Sequence, residues 1–182
     1  YTKYKLLMLD NIMKIRLLIT GGTIDKVYNQ SNGELEFDQT HFPDMITKAR
    51  VEVDLLIEEL LLIDSLDMVD ADRELIVEKC TKCEEKHILI THGTDTMCET
   101  AKLLGESSID KTIVLFGSMV PYAVNGSDAF FNFGCALGSV QLLKAGVYIA
   151  MNGRAGKKHG QGTVTWPNGY IYVGEFQNSK WH

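Results

Sequence analysis

Two short stretches of this sequence set hydroxyls beside glycines and a carboxylate, the groups that acyl-transfer chemistry uses. One is TGGTID (20–25) and the other is HGTDTMCET (92–100), each following an apolar run. A threonine hydroxyl is a poor nucleophile at neutral pH until a neighbour removes its proton. Thr23, Thr94 and the adjacent Asp95 are therefore the groups to watch. Gly21 and Gly22 let the backbone turn sharply and leave amides near a ligand. No GxGxxG or Walker lysine accompanies them, so a nucleotide is not expected. Thr96 and Glu99 have the spacing of a capping box, which accounts for those two residues but not for Thr94 and Asp95.

The other reactive side chains read more plainly. Cys80 and Cys83 form a CxxC, but no second pair answers it, and RELIVEKCTKCEEK is a charged helical pattern. These are expected to be reduced thiols with no metal. Cys98 and Cys135 read as buried helix positions. His87 and His92 flank one apolar run, and His92 reads as a strand-end histidine satisfied by backbone rather than as a proton carrier.

Positioning these groups requires a scaffold. The runs MKIRLLIT (13–20), HILITH (87–92), TIVLFGS (112–118) and GVYIAM (146–151) are short and nearly continuous in apolar residues, as strands covered on both faces must be. Helical patterns over 40–49, 72–86, 96–106 and 127–144 alternate with them, which makes βαβ units. The stretch VEVDLLIEELLLIDS (51–65) suits either a helix or two strands with a brief connection, and strand at each end is preferred. The fold class is α/β, a doubly wound, mostly parallel sheet of the Rossmann-like or flavodoxin-like kind. Ligands in such sheets gather beyond the carboxyl ends of the strands.

The pair TGGTI and ITHGTDTM, roughly 70 residues apart and each after an expected strand, resembles the asparaginase/glutaminase family of threonine amidohydrolases. VLFGSMVPYAVNGSDAFFNFGCAL (114–137) is similar to that family's third block, and the likeness covers roughly residues 13–154. It implies that Thr23 is the primary nucleophile and that Tyr28, in the lid-like loop DKVYNQSNG, activates it. It also implies that Thr94 is the second catalytic threonine, that Asp95 grips the substrate's α-amino group, and that Ser65 contacts its carboxylate. Leu66 stands where the family often has a polar residue. Amides such as those of Gly93 and Thr94 would meet the oxyanion. The family's lysine has no matching position after MNGR, so Lys157 or Lys158 could fill that role, with Lys158 preferred by distance from Arg154.

From Gly156 the composition changes. HGQGTVTWPNGYIYVGEFQNSKWH resembles a MORN repeat and reads as a C-terminal β-hairpin. The expected division is an α/β domain over 1–155 and a hairpin over 156–182. A lone hairpin is marginal in water, so its aromatic face is expected to pack on this domain, on a second chain or on a longer array.

A formal net charge of −6 over 182 residues gives no reason to expect a nucleic-acid partner. The apolar N-terminal stretches are broken by Asp10, Lys14 and Arg16, so neither an export signal nor membrane insertion is expected, and Met13 is a candidate natural start. A cytoplasmic location follows from that reading. The leading function is hydrolysis of L-asparagine, with L-glutamine as a further substrate, using no cofactor; the resemblance also implies a homo-oligomer. The alternative is an inactive domain that binds or scaffolds through its hairpin. A flavodoxin-like redox or nucleotide protein fits the same fold but lacks a phosphate loop.

Overall fold

Strand β1 (Lys14–Gly21) has apolar residues pointing both ways, so it is buried on both faces: Ile15, Leu17 and Ile19 enter one core and Leu18 the other. The computed structural model describes residues 13–156, together with the strand backbone of 160–165, 171–177 and 180–181. After β1 the chain makes a 3₁₀ turn (Thr23–Asp25) and a two-stranded hairpin, β2 (Lys26–Asn29) with β3 (Glu34–Phe37). Helix α1 (Phe42–Lys48) leads to β4 (Asp54–Ile63), and α2 (Asp70–Lys82) to β5 (His87–Thr91). Helix α3 (Met97–Glu106), β6 (Thr112–Phe116), α4 (Ala129–Leu142), β7 (Gly146–Met151) and β8 (Arg154–Gly156) complete the domain.

The sheet runs β4-β1-β5-β6-β7-β8, parallel except for β8, which turns back antiparallel on β7. Because β4 lies on one side of β1 and β5 on the other, the order of strands reverses between β1 and β5. That gap is the topological switch point at which open α/β sheets form their clefts. Helices cover both faces. Phe42 and Met45 of α1 and Ala129, Phe133, Ala136 and Val140 of α4 pack on one side; Ile76 and Cys80 of α2 and Met97, Ala101 and Leu104 of α3 pack on the other. The expected doubly wound α/β architecture is the one found.

Phe42 holds the first of these layers together. Its ring lies edge-on to Phe116, at 5.8 Å between centroids, and to Phe133, at 5.4 Å. Such pairs add about 0.5–1.5 kcal/mol each beyond the area they bury. They fix the start of α1.

Three expectations are corrected by the structure. Residues 51–65 hold one ten-residue strand, β4, rather than two short ones, because β4 pairs with β1 from Asp54 through Ile63, with a single register shift beside Gly21. The Thr96–Glu99 capping box does not form: the Thr96 hydroxyl donates to the Ser65 carbonyl at 2.9 Å, and Glu99 pairs with Arg73 at 3.1 Å. Cys98 and Cys135 are half-buried rather than buried, and only Cys80 lies in a core. No disulfide joins the four cysteines.

β4 forms an outer edge of the six-stranded sheet, paired on one side only. The C-terminal strands β9 (Gly160–Thr165), β10 (Ile171–Gln177) and β11 (Lys180–Trp181) form a separate antiparallel sheet in the order β11-β10-β9. The turn of the expected hairpin, at Pro167-Asn168-Gly169, lies outside the described residues. Among the described residues, no helix is long and apolar enough to cross a membrane.

Candidate active site

The loops that leave the carboxyl ends of β1, β4, β5 and β6 touch backbone to backbone. Gly22 (φ +83°) lies so close to the β5 loop that a methyl group placed on it would sit 2.7 Å from Gly93 Cα. A methyl on Gly93 would in turn lie 2.6 Å from Ser65 Cβ, and one on Gly117 would strike the His92 carbonyl. Only glycine fits at such approaches, and its freedom at positive φ is required at Gly22. Hydrogen bonds lock the same meeting: Gly22 N donates to Ile63 O at 3.0 Å, His92 N to Phe116 O at 2.8 Å, and Tyr122 N to Ile24 O at 3.1 Å.

Just beneath it, Thr20 donates twice to Thr91 across β1 and β5. The Thr20 hydroxyl donates to the Thr91 carbonyl, and Thr20 N donates to Thr91 Oγ1 at 3.0 Å. Both residues are fully buried, so each bond adds about 1 kcal/mol net and resists exchange for water. The two strands therefore enter the site as one piece.

Thr23 follows Gly22 directly and is half-buried; Thr94 follows Gly93 directly and is also half-buried. The contact between the two glycines brings these threonines onto adjoining loops. Asp95 is exposed at the same rim. Ser65 is 1% exposed, and its Oγ is buried without a hydrogen-bond partner among the described residues. Leu66 beside it is 71% exposed. The arrangement offers two hydroxyls, a carboxylate, a buried serine and loop amides at the switch point between β1 and β5.

Tyr28 is placed differently. It sits in β2 opposite Leu35, is 59% exposed, and its hydroxyl would lie 3.8 Å from a methyl on Gly33 at the hairpin tip. The segment expected as a lid forms this hairpin. Asn29 Oδ1 accepts from Ser31 N at 2.9 Å, and Asn29 and Asn32 both donate to Glu36, holding its carboxyl below the usual range. At the base, Lys26 pairs with Asp64 in the loop after β4. Lys157 and Lys158 lie outside the described residues, and β8 ends just before them.

Several site residues escaped the sequence reading. Asp25, the last residue of TGGTID, is fully buried and accepts from Thr40 Oγ1 at 3.0 Å and from His41 N at 2.9 Å. Burial pushes its carboxyl above the usual range, against those two bonds. Asp128 accepts from Met119 N at 3.0 Å and Val120 N at 3.0 Å, which shapes the loop after β6. Asn132 donates to Gly117 O at 3.0 Å and accepts from Asn152 N at 2.8 Å, tying that loop to the β7–β8 turn. The SD pair before a helix was the available signal for Asp128; nothing local marked Asn132.

Comparison with known proteins bears on the fold and the family. A family model described as "Asparaginase, N-terminal" matches residues 14–164. The chain is 32% identical over 149 residues to L-asparaginase 1 of Escherichia coli (strain K12), covering 76% of this chain and 40% of that protein. It is 30% identical over 149 residues to a glutaminase-asparaginase of Acinetobacter glutaminasificans, covering 75% and 45%. The chain thus spans less than half the length of these relatives. Among solved structures, a probable cytoplasmic L-asparaginase from Campylobacter jejuni superposes with a TM-score of 0.67 at 29% identity, covering 79% of this chain and 47% of that one. L-asparaginase I from Vibrio cholerae superposes with a TM-score of 0.72 over 90% of this chain and 52% of that one; at 22% identity it speaks to the fold.

Proposed function

The chain belongs to the asparaginase family, matching its N-terminal domain, and from that premise we propose that it hydrolyses the side-chain amide of a small amino acid, L-asparagine first and L-glutamine second. The observation that supports the reading is the backbone contact of Gly22 with Gly93, which joins the loops that carry Thr23 and Thr94 at the switch point of the sheet.

In this reading the Thr23 oxygen attacks the amide carbon, and its proton passes to the leaving nitrogen. The C–N bond breaks, ammonia departs, and an ester to Thr23 remains. Water, deprotonated with the help of Thr94, then attacks that ester, releasing the acid and restoring Thr23. Tyr28 on the hairpin and Lys158 beyond β8 are the candidate proton movers. Loop amides near Gly93 meet the charge that develops on the carbonyl oxygen. Asp95 holds the substrate's ammonium, and the Ser65 hydroxyl faces its carboxylate. No metal or organic cofactor enters any of these steps.

The test is ammonia release from asparagine by the purified chain and by Thr23→Ala. Release by the first and not by the second supports the proposal; equal rates overturn it. A second reading, binding without turnover, is favoured by the 40–45% share of the relatives' length that the chain spans. It predicts that aspartate binds, as read by calorimetry, while no ammonia appears. A subunit-subunit arrangement that completes the cleft belongs to the same proposal, and light scattering with size exclusion tests it.

A further inference from the structure

We propose that His92 and Thr100 are positioning residues that hold the peptide between Gly93 and Thr94 with its carbonyl turned into the protein and its N–H toward the cleft. The inference rests on the amidohydrolase reading only for the use made of that N–H; the positioning itself stands on geometry.

His92 is fully buried, and both ring nitrogens are occupied. Nδ1 lies 2.8 Å from the Gly93 carbonyl oxygen, and Nε2 lies 2.7 Å from Thr100 Oγ1. A carbonyl can only accept, so Nδ1 must carry the proton. Nε2 is then a lone pair, and the Thr100 hydroxyl, itself fully buried, must donate to it. The hydroxyl has one proton, so the Met68 Sδ at 3.9 Å receives none of it. Thr100 sits in the first turns of α3, with its own N–H bonded to Thr96 O at 3.3 Å. The Gly93 carbonyl therefore sets the tautomer, and the Thr100 hydroxyl, carried by the helix, anchors the opposite edge of the ring, so that the ring in turn holds the carbonyl.

Peptide geometry carries this constraint one atom further. The peptide unit is planar and trans, so its C=O and N–H point in opposite directions. A carbonyl drawn inward onto His92 sends the Thr94 N–H outward. Gly93 itself cannot compensate by moving, because Gly22 packs on one side of it and Ser65 on the other. Burial, with Arg73 nearby, also pushes the imidazole down to about 4, which keeps it neutral and unsuited to carrying protons at neutral pH. His92 thus acts through the Thr94 loop without touching the reacting atoms.

The test combines a spectroscopic and a kinetic arm on the full chain. Long-range ¹H–¹⁵N correlation at neutral pH should show His92 as the Nδ1–H tautomer. Thr100→Val leaves Nε2 without its partner, so it should broaden the His92 ring resonances while Nδ1–H persists, shift the Thr94 amide resonance and lower kcat for asparagine about tenfold, with KM within about twofold, a smaller loss than removal of a direct oxyanion donor. Thr100→Ser should restore all three. An Nε2–H tautomer in the unaltered protein overturns the inference, as does a Thr100→Val variant whose Thr94 resonance and kcat stay in place. If the unaltered chain releases no ammonia, the functional reading fails, while the tautomer and the Thr94 shift still decide the positioning. Should Thr100→Val not fold, the tautomer of the unaltered protein decides alone.

Discussion

The two ends of the same sheet are finished in opposite ways. At the amino ends of the strands, charges are matched and closed. Arg16 grips Glu85 through Nε at 3.0 Å and Nη2 at 3.1 Å, shares Glu58 at 3.3 Å, and Glu58 in turn holds Lys79. Lys111 donates to the Cys83 carbonyl and lies 3.3 Å from its sulfur. At the carboxyl ends lie the buried side-chain atoms that lack a partner among the described residues: Asp25 Oδ2, His41 Nε2, Ser65 Oγ and Arg73 Nε. An unpaired buried polar atom costs about 1–3 kcal/mol. One edge therefore holds the fold together, and the other spends stability on an open, polar cleft.

Substitutions can break that contrast or sharpen it. The largest effect belongs to Thr23→Ala, which should lower amide hydrolysis at least about 1,000-fold, roughly 4 kcal/mol in the barrier, while leaving Tm unchanged because the side chain is half-exposed. Stopped-flow or coupled ammonia assays and a thermal melt read the two halves.

Next comes pH. His92 has its folded pKa lowered from 6.5 to about 4, chiefly by desolvation. Between those values the unfolded chain takes a proton that the native state refuses. Stability should therefore fall as pH drops from 6.5 toward 4, by about 3 kcal/mol in all. Denaturant titrations across that window check it, and His92→Gln should flatten the slope. Asp25 runs the other way: its raised carboxyl contributes stability at low pH that is lost as pH rises through its folded pKa, so Asp25→Asn should steepen the acid loss.

At the closed edge, Glu85→Ala leaves the partly buried Arg16 guanidinium with Glu58 alone. It should cost about 2 kcal/mol of folding stability with no change in aspartate affinity by calorimetry. A smaller effect on folding than Glu85→Ala belongs to Ser65→Ala. Removing a hydroxyl that has no partner should leave stability within about 0.5 kcal/mol or raise it, yet weaken aspartate binding about tenfold. A loss of stability without loss of binding would erase the distinction between the edges.

Much of this architecture was legible in the residues. The continuous apolar runs specified buried parallel strands because both faces of β1, β5 and β6 are covered by helices. The glycine turns marked the loops because only glycine tolerates the approach of Gly22 to Gly93. His92 was read as satisfied by backbone, and its Nδ1 bond to Gly93 bears that out. What stayed hidden depends on contacts distant in sequence. Glu58 and Glu59 interrupt β4 and imitate a helical period, and only pairing with β1 resolves them. The role of Thr96 is set by Ser65, thirty-one positions away, and that of Asn132 by Asn152, twenty away. Periodicity cannot report such partners.

The one-sided strand β4 has a practical consequence. Its sequence, DLLIEELLLI, is a ten-residue apolar-rich run whose outer backbone groups face no sheet neighbour among the described residues. Such a rim is a template for stacking of one molecule onto the next. Glu58 and Glu59 interrupt it and act as gatekeepers against aggregation. Glu59→Val should therefore leave the isolated fold intact and turn a clear solution into one that scatters light as concentration rises.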